Sequence, residues 1–402
     1  MIINIIKKLR KNKNIIIISE KIAYLWFLFW HICFYFCKVN SNKIVISNYY
    51  GKGYGDNLKY IAERLLCEKN LKLDIVWIVD DLNCNLPDEI RKCKKYSIKS
   101  IYEFMTSKIW IDNCRKYYFY NILKKTNTVY IQTWHAGVGL KRSEQDVEKE
   151  LNKNYVLSAK KDSKLIDYIL SGSNWQTQYL KNYFWIDEKK TEILMFGLPR
   201  NDIFFNHQIN YRDKVISFYK VKKDIKIVLV APTFRNNNNL DNIIDFKNLL
   251  YSLKNKFNSD WVVFLRLHPN IRDCSINLPL NVVNVSYYED VQELLYASDI
   301  LITDYSSIMF DMLLLEKPVF IFAKDIYEYS KERNYTFEFK ELPFSLAKND
   351  MELRQNINKF NSLTYKKKIL KFKKTIGSYE DGHACERVCK LIEDIVDGKV
   401  QK

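Results

Sequence analysis

The side chains best suited to chemistry come directly after predicted strands. His135 lies in the segment 132–141 (QTWHAGVGLK) and His268 in the segment 266–270 (RLHPN), and they are two of only five histidines. Histidine is the side chain best matched to proton transfer near neutral pH. A single histidine at a strand end is more often structural, but two at corresponding strand ends favour a catalytic pair.

A third segment, 302–307 (ITDYSS), leads into an apolar helix predicted for residues 306–315. The first backbone N–H groups of a helix have no partner within it, and the helix dipole makes that end positive. Hydroxyl groups of Thr303, Ser306 and Ser307 add donors around Asp304. The pattern outlines a pyrophosphate site, although an ordinary serine N-cap explains the serines equally well.

A glycine-rich loop, 51–55 (GKGYG), precedes a helix whose cap is Asp56 or Asn57. The loop lacks the Lys-Ser/Thr ending of a P-loop, so nucleotide hydrolysis is not indicated. It would let the backbone approach a phosphate or an acceptor, and a tight turn accounts for it equally. No Asp-x-Asp motif is present, so we predict neither a metal site nor a cofactor.

Two series of alternating strands and helices position these segments. Strands are predicted at 43–49, 73–79, 108–112 and 128–133, and again at 225–230, 261–267, 300–303 and 318–322. Such repetition implies parallel sheets with helices on both faces, and functional residues at the carboxyl ends of the strands. We therefore predict an α/β fold with two Rossmann-like domains, 41–205 and 206–402, and a last helix at 384–396.

The first 40 residues have a different pattern. An apolar run over 22–37 is preceded by five basic residues, Lys7, Lys8, Arg10, Lys11 and Lys13. No small-residue cleavage site follows the run. A spanning helix needs about 20 apolar residues, and the aromatic side chains within the run suit a membrane interface. We favour a monotopic membrane-associating segment over a single span or a helix buried in the protein.

Charge and cysteine content limit the partners. The formal net charge of +17 favours an acidic partner, although a composition rich in Lys, Asn and Ile accounts for many surface lysines. Zinc-ligand spacing and RNA-binding signatures are absent, so we exclude nucleic acid and favour an anionic membrane surface and phosphorylated ligands. The nine cysteines are odd in number and lack C-x-x-C spacing, which is typical of reduced cytoplasmic thiols.

Six segments in order resemble the CDP-glycerol glycerophosphotransferase family, which includes teichoic acid primases and polymerases. They are GKGYGDN at 51–57, TWH at 133–135, GLPRND at 197–202, APTFR at 231–235, RLHP at 266–269 and LITDYSSIMFD at 301–311. The resemblance extends from residue 43 to about residue 322. One such motif alone is weak evidence, whereas six in the expected order are strong evidence.

The resemblance implies a GT-B-like fold, with a terminal helix that packs back on the first domain and peripheral attachment to the cytoplasmic face of the membrane. It also implies transfer of an alditol phosphate from CDP-glycerol or CDP-ribitol to a lipid-linked or glycan hydroxyl, with release of CMP. His135 would be the general base, and His268 would bind or protonate the departing phosphate. The remaining predicted site residues are, for the donor, Thr233, Arg235, Arg266, Thr303, Asp304, Ser306 and Ser307, and on the acceptor side Gly53, Gly55, Asp56 and Gly137.

One departure from the family pattern leaves the alditol and the acceptor open. Many members continue the histidine segment as His-Gly-Thr-Pro, whereas this chain has His135-Ala136-Gly137-Val138. Two other functions share the predicted fold: a glycosyltransferase that uses a nucleotide sugar, and an inactive membrane-bound adaptor. The presence of both histidines argues against the adaptor.

Overall fold

The computed structural model describes residues 13–68, 71–116, 123–206, 209–233, 244–267, 278–332 and 334–400, apart from the side chains of 13–20 and 330–332. Two predicted site residues, Arg235 and His268, lie outside the described residues, as do the basic residues at positions 7–11.

The first sheet, within the described residues, has seven parallel strands in the order β3-β2-β1-β4-β5-β6-β7. Its strands are β1 (Asn40–Ser47), β2 (Asp74–Val79), β3 (Arg91–Lys94), β4 (Ser107–Asp112), β5 (Val129–Gln132), β6 (Tyr168–Leu170) and β7 (Glu192–Leu194). The helices around it are α1 (Lys13–Tyr35), α2 (Asp56–Cys67), α3 (Ile98–Thr106), α4 (Lys153–Ser163) and α5 (Asn174–Tyr183), with 3-10 turns over Glu144–Glu150 and Pro199–Phe204.

The second sheet has six described strands, also all parallel, in the order β10-β9-β8-β11-β12-β13. They are β8 (Lys226–Ala231), β9 (Trp261–Leu265), β10 (Val282–Asn284), β11 (Ile300–Thr303), β12 (Val319–Phe322) and β13 (Ser345–Ala347). Its helices are α6 (Tyr211–Phe218), α7 (Phe246–Phe257), α8 (Val291–Ala297), α9 (Ile308–Leu314), α10 (Ile326–Glu332), α11 (Asp350–Lys359) and α12 (Ser362–Ile376); α13 (Ala384–Val396) follows, and a 3-10 turn covers Phe339–Glu341.

Both faces of the first sheet are covered by helices. In β1 the successive residues Ile44, Val45 and Ile46 are all buried, which is typical of a parallel strand with helices on both sides. Ile44 and Ile46 belong to one apolar cluster and Val45 to another, because successive side chains point to opposite faces. The predicted α/β fold with two parallel-sheet, Rossmann-like domains is confirmed.

Two predicted boundaries differ from the structure for local reasons. Strand β1 ends at Ser47 rather than residue 49, because Tyr49 and Tyr50 adopt positive φ angles of 40° and 60° that a strand does not accommodate. Helix α9 begins at Ile308 rather than at Ser306, with Ser307 as its N-cap.

The last helix, α13, packs on the first domain although it follows the second sheet in the chain. Its residues Val388, Ile392 and Ile395 are fully buried in the same apolar cluster as Ile44 and Leu58. Its observed bounds, Ala384–Val396, coincide with the predicted ones. The chain therefore passes between the domains twice.

Helix α1 divides its apolar residues between two environments. Ala23 and Phe27 are buried against the first domain, in a cluster with residues of β1 and α3, and His31 on the same face is also buried. The opposite face leaves Leu25 and Phe29 62% and 56% exposed. None of the helices in the described part of the chain is long and apolar enough to cross a membrane.

The two domains meet through buried ion pairs and through backbone pairing. Lys59 of α2 donates to Asp290 at 2.6 Å and to Glu293 at 2.9 Å, both in the segment that begins α8. The end of the histidine segment also contacts the second domain, since the Thr336 N–H donates to the Leu140 carbonyl at 2.9 Å. These contacts position the loops at the carboxyl ends of both sheets.

Candidate active site

His135 lies just beyond the carboxyl end of β5. Its Nδ1 is 2.8 Å from the backbone carbonyl of Asn113, which follows β4. A carbonyl only accepts, so Nδ1 carries the proton in the neutral ring, and Nε2 is left with the lone pair. The Cys114 sulfur is 3.7 Å from the same Nδ1. The histidine therefore presents Nε2 as a proton acceptor.

The surroundings of His135 favour the neutral ring. Burial lowers the pKa of His135 below its usual 6.5, while the Asn113 hydrogen bond and the negative Asp56 oppose this shift. The positive charge of Arg200 adds to the lowering. Near pH 7 the ring is therefore unprotonated and able to accept a proton.

Side chains from separate elements hold the backbone around His135. Trp134 has a φ of 52°, in the left-handed region that non-glycine residues rarely adopt. Three consecutive carbonyls of the loop each accept a side-chain hydrogen bond, and such pairing fixes the direction of the ring. The pairs are Asn57 Nδ2 to Trp134 O at 3.0 Å, Arg200 Nη1 to His135 O at 2.6 Å, and Gln176 Nε2 to Ala136 O at 3.0 Å.

The Asp56 carboxylate binds several side chains of the part of the site that the first domain forms. It begins α2 with a φ of 57°, and its carboxylate accepts from Asn113 at 3.2 Å and from Arg200 at 3.1 Å. The hydroxyl group of Tyr49 also donates to it. This carboxylate is therefore occupied by protein donors and holds the loops in place.

Backbone conformation or close packing favours glycine at two of the predicted acceptor-side positions. Gly53 has a φ of 70°, which glycine adopts without strain, and a Cβ there would meet no atom within 4 Å. A Cβ on Gly137 would lie 2.9 Å from the Leu198 Cδ1, so any larger residue there would displace this terminal methyl group. Gly55 lies in extended backbone before Asp56, where a Cβ would make ordinary contact with Glu289.

The predicted donor-side residues Thr303 and Asp304 hold the carboxyl ends of β8 and β11 together. The Thr303 hydroxyl donates to the Ala231 carbonyl at 2.7 Å. The Asp304 carboxylate accepts from the backbone N–H of Thr233 at 2.9 Å and from that of Tyr305 at 2.6 Å. These contacts shape the loops that lead to Ser306 and Ser307.

Ser306 and Ser307 lie at the amino end of α9, half-buried. The Ser307 hydroxyl makes no capping hydrogen bond to the helix. The Ser306 hydroxyl lies 3.5 Å from the Ile308 N–H, at the long limit for a hydrogen bond. The helix therefore does not require either hydroxyl as a cap.

Arg266, which follows β9, points its guanidinium at backbone carbonyls. Nη1 donates to Tyr288 at 2.6 Å and to Val285 at 3.4 Å. This places a cation at the carboxyl edge of the second sheet. Within the described residues no group of three or more His, Cys, Asp or Glu side chains is arranged to hold a metal ion.

The structure assigns contacts to residues that the sequence left without a role. Arg200 and Asp311 fall inside the recognised motifs GLPRND and LITDYSSIMFD, yet neither was predicted as a site residue. Arg200 Nη2 lies 3.1 Å from Asp311, and both side chains are buried. Asn113 was also missed, because its contribution comes largely from a backbone carbonyl, which no residue type signals.

Comparison with known proteins identifies the family. Residues 29–394 match the profile of CDP-glycerol:poly(glycerophosphate) glycerophosphotransferases. A teichoic acid poly(glycerol phosphate) polymerase of Staphylococcus epidermidis is 31% identical over 88% of this chain, which spans only 51% of that relative. A polymerase of the same name from Bacillus spizizenii is 30% identical and is covered over 91% of its length.

A teichoic acid poly(ribitol-phosphate) polymerase of Bacillus spizizenii is 29% identical over 94% of this chain and is covered over 61% of its length. Among solved structures, the wall teichoic acid polymerase TagF superposes with a TM-score of 0.83 at 27% identity, covering 95% of this chain and 96% of that one. The predicted family, fold and class of enzyme are thereby confirmed. This chain belongs to the CDP-glycerol:poly(glycerophosphate) glycerophosphotransferase family.

Proposed function

We propose that the chain transfers glycerol phosphate or ribitol phosphate from a CDP-activated donor to a hydroxyl group of a lipid-linked or glycan acceptor, with release of CMP. The pathway would be the synthesis of teichoic acid or another cell-surface polysaccharide. Family membership supports the reaction class, and relatives named for glycerol phosphate and for ribitol phosphate are about equally similar. The alditol therefore has to be decided by experiment.

The observation that carries the proposal is the hydrogen bond between His135 Nδ1 and the Asn113 carbonyl. It leaves Nε2 free to accept the proton of the acceptor hydroxyl as that oxygen attacks the phosphorus next to the alditol. A new P–O ester bond forms there, the bond from that phosphorus to the bridging oxygen breaks, and CMP leaves with the electron pair. His135 therefore acts as general base in this mechanism.

The second domain would bind the donor diphosphate. Thr233, Ser306 and Ser307 are at the carboxyl ends of β8 and β11, where their hydroxyl groups and the backbone N–H groups of the two serines can meet phosphate oxygens. Phosphoryl transfer depends mainly on in-line positioning and on neutralising these oxygens. Arg266, together with Arg235 and His268, which lie outside the described residues, would supply charge and a donor to the leaving CMP.

Thr303 and Asp304 have a positioning role in this proposal rather than direct contact with the donor. The Thr303 hydroxyl is already bonded to Ala231, and a negative Asp304 would repel a diphosphate. The acceptor side would be formed by the loop that contains Gly53, Gly55 and Asp56, and by Gly137 after the base.

Helix α1 would attach the chain to the cytoplasmic surface of an anionic membrane. Its buried face completes the core of the first domain, and its other face presents Leu25, Phe29 and Ile32 to the surroundings. An apolar face of this kind is stable in the interfacial region of a bilayer, and the basic residues before the helix would add attraction to anionic lipids.

A donor screen tests the reaction. The full-length chain in detergent or vesicles should release CMP from CDP-glycerol or CDP-ribitol when an acceptor is present. His135→Gln should reduce this turnover about 10²–10⁴-fold because the general base is lost. Turnover of nucleotide sugars without CMP release from either CDP-alditol would instead identify a glycosyltransferase, and failure of all donors to bind would indicate an inactive adaptor.

The pH profile tests the assignment of the base. Since burial lowers the pKa of His135 below 6.5, kcat/KM should stay high at neutral pH and fall with acid through a midpoint below 6.5. Residual turnover by His135→Gln should lack this acid limb, while its thermal unfolding matches the parent. An acid limb that persists unchanged in the variant would assign the titration to another group.

Two serines at helix N-cap positions, of which only one makes a capping hydrogen bond, provide a matched test of the donor site. Ser307→Ala should weaken CDP-alditol binding by about tenfold or more, because hydrogen bonds to charged groups contribute about 1.5–3 kcal/mol. Its stability should change little, since Ser307 makes no capping bond. Ser97 does cap α3, so Ser97→Ala should lower the free energy of unfolding by about 1 kcal/mol and leave donor affinity unchanged. Unchanged donor affinity in a folded Ser306→Ala/Ser307→Ala double variant would remove both serines from the site.

Membrane attachment is tested on the exposed face of α1. Leu25→Lys/Phe29→Lys should weaken binding to phosphatidylglycerol vesicles by about 10²-fold or more, because each buried apolar side chain contributes about 1.5–3 kcal/mol. Turnover of a water-soluble acceptor should be retained, since the buried face of α1 is unchanged. Met351→Lys, a substitution of another exposed apolar residue on α11, is the control. Co-sedimentation of the double variant at the parental level would contradict attachment through this face.

A further inference from the structure

The Arg200 guanidinium is buried where the two domains meet. Arg200 lies in the 3-10 turn Pro199–Phe204, after the last strand of the first sheet, and is 5% exposed. Its two terminal nitrogens point in different directions. Nη1 contacts the first domain, and Nη2 contacts the second.

The Nη1 side is connected to His135 by two routes. Directly, Nη1 donates to the His135 carbonyl at 2.6 Å. Indirectly, it donates to Asp56, whose other oxygen accepts from the Asn113 amide, and the Asn113 carbonyl binds His135 Nδ1. The position of Arg200 therefore affects both the backbone and the ring of the base.

The Nη2 side is connected to the helix that would bind the donor. Nη2 lies 3.1 Å from Asp311 of α9, and Ser306 and Ser307 directly precede this helix. Asp311 also accepts a hydrogen bond from the Gln292 amide at 2.9 Å. A movement of α9 would therefore be transmitted to Arg200.

The geometry requires arginine rather than a generic cation. A guanidinium has a planar fork that can bind two carboxylates and a carbonyl at once, whereas a lysine ammonium is a single point charge on a flexible chain. Burial without good geometry would be strongly unfavourable for these three charged groups. One arrangement of the two domains satisfies all of these contacts.

We propose that Arg200 is a positioning residue for phosphotransfer, which sets the His135 loop at a fixed distance from the donor-binding helix α9 by binding Asp56, the His135 carbonyl and Asp311 together. This role rests on the proposed function, because it assigns His135 as base and α9 as donor site. Arg200 itself touches neither the proton nor the diphosphate in this proposal.

The kinetic test is Arg200→Lys in the full-length chain, assayed for CMP release from CDP-glycerol and CDP-ribitol. We expect kcat to fall about 10²-fold, as for a displacement of about 1 Å between reacting groups, with the donor KM nearly unchanged. Arg212→Lys is the matched control, because Arg212 also binds a carboxylate and backbone carbonyls, but entirely within the second domain. The control should retain the parental kcat.

A second readout does not require turnover. With ¹³Cε1-labelled histidine, the His135 signal, assigned from His135→Gln, should broaden or shift in Arg200→Lys and stay unmoved in Arg212→Lys. If Arg200→Lys fails to fold, Asp311→Asn, which keeps the side-chain shape, should displace the same signal. An unmoved His135 signal with parental kcat would overturn the proposal. A displaced signal in a chain that uses neither CDP-alditol would support Arg200 as the residue that positions His135 and refute the proposed reaction instead.

Discussion

A guanidinium shared by carboxylates from two domains is the interaction on which the site depends. Arg200 is bonded to Asp56 at the start of α2 and to Asp311 within α9. Each charge in this set would be unfavourable alone in the interior, and each is stabilised only when the other two are in place. Since the partners lie in separate domains, the arrangement selects one way for the sheets to face each other. These ion pairs therefore contribute more to fixing how the two domains face each other than to the net free energy of folding.

The loops around His135 contain strained backbone that neighbouring side chains hold in place. Tyr49, Tyr50, Asp56 and Trp134 all have positive φ angles, and they lie in the two loops that surround His135. Such conformations each cost about 1–3 kcal/mol and persist only where neighbouring contacts determine them. Here Asn57 donates to the Trp134 carbonyl, Arg200 donates to the His135 carbonyl, and the Asn113 side chain accepts from the Tyr49 N–H. The orientation of His135 is thus maintained by these neighbouring side chains.

The sequence predicted the elements better than the contacts between them. Strand β11 and helix α13 were predicted with their observed bounds, because apolar periodicity is a local property of the chain. The position of His135 followed from the rule that loops at the carboxyl ends of parallel strands form the site. Arg200 could not be assigned a role in the same way, since its partners lie 144 and 111 residues away in the chain. Likewise, the periodicity of α1 did not show which face the first domain would cover, because that depends on the surface of another element.

The net charge around Arg200 also depends on a third carboxyl group, that of Glu380. Glu380 accepts from the Leu198 N–H at 3.2 Å and from the Asn201 amide at 3.0 Å, beside the turn that contains Arg200. Burial raises its pKa to about 8, with Asp311 and Asp202 adding to the rise, so the group is largely protonated at neutral pH. With Glu380 neutral, Arg200, Asp56 and Asp311 carry a net charge of −1, whereas ionised Glu380 would make it −2. A diphosphate donor bound at α9, as proposed above, would therefore meet less repulsion than the number of carboxyl groups indicates.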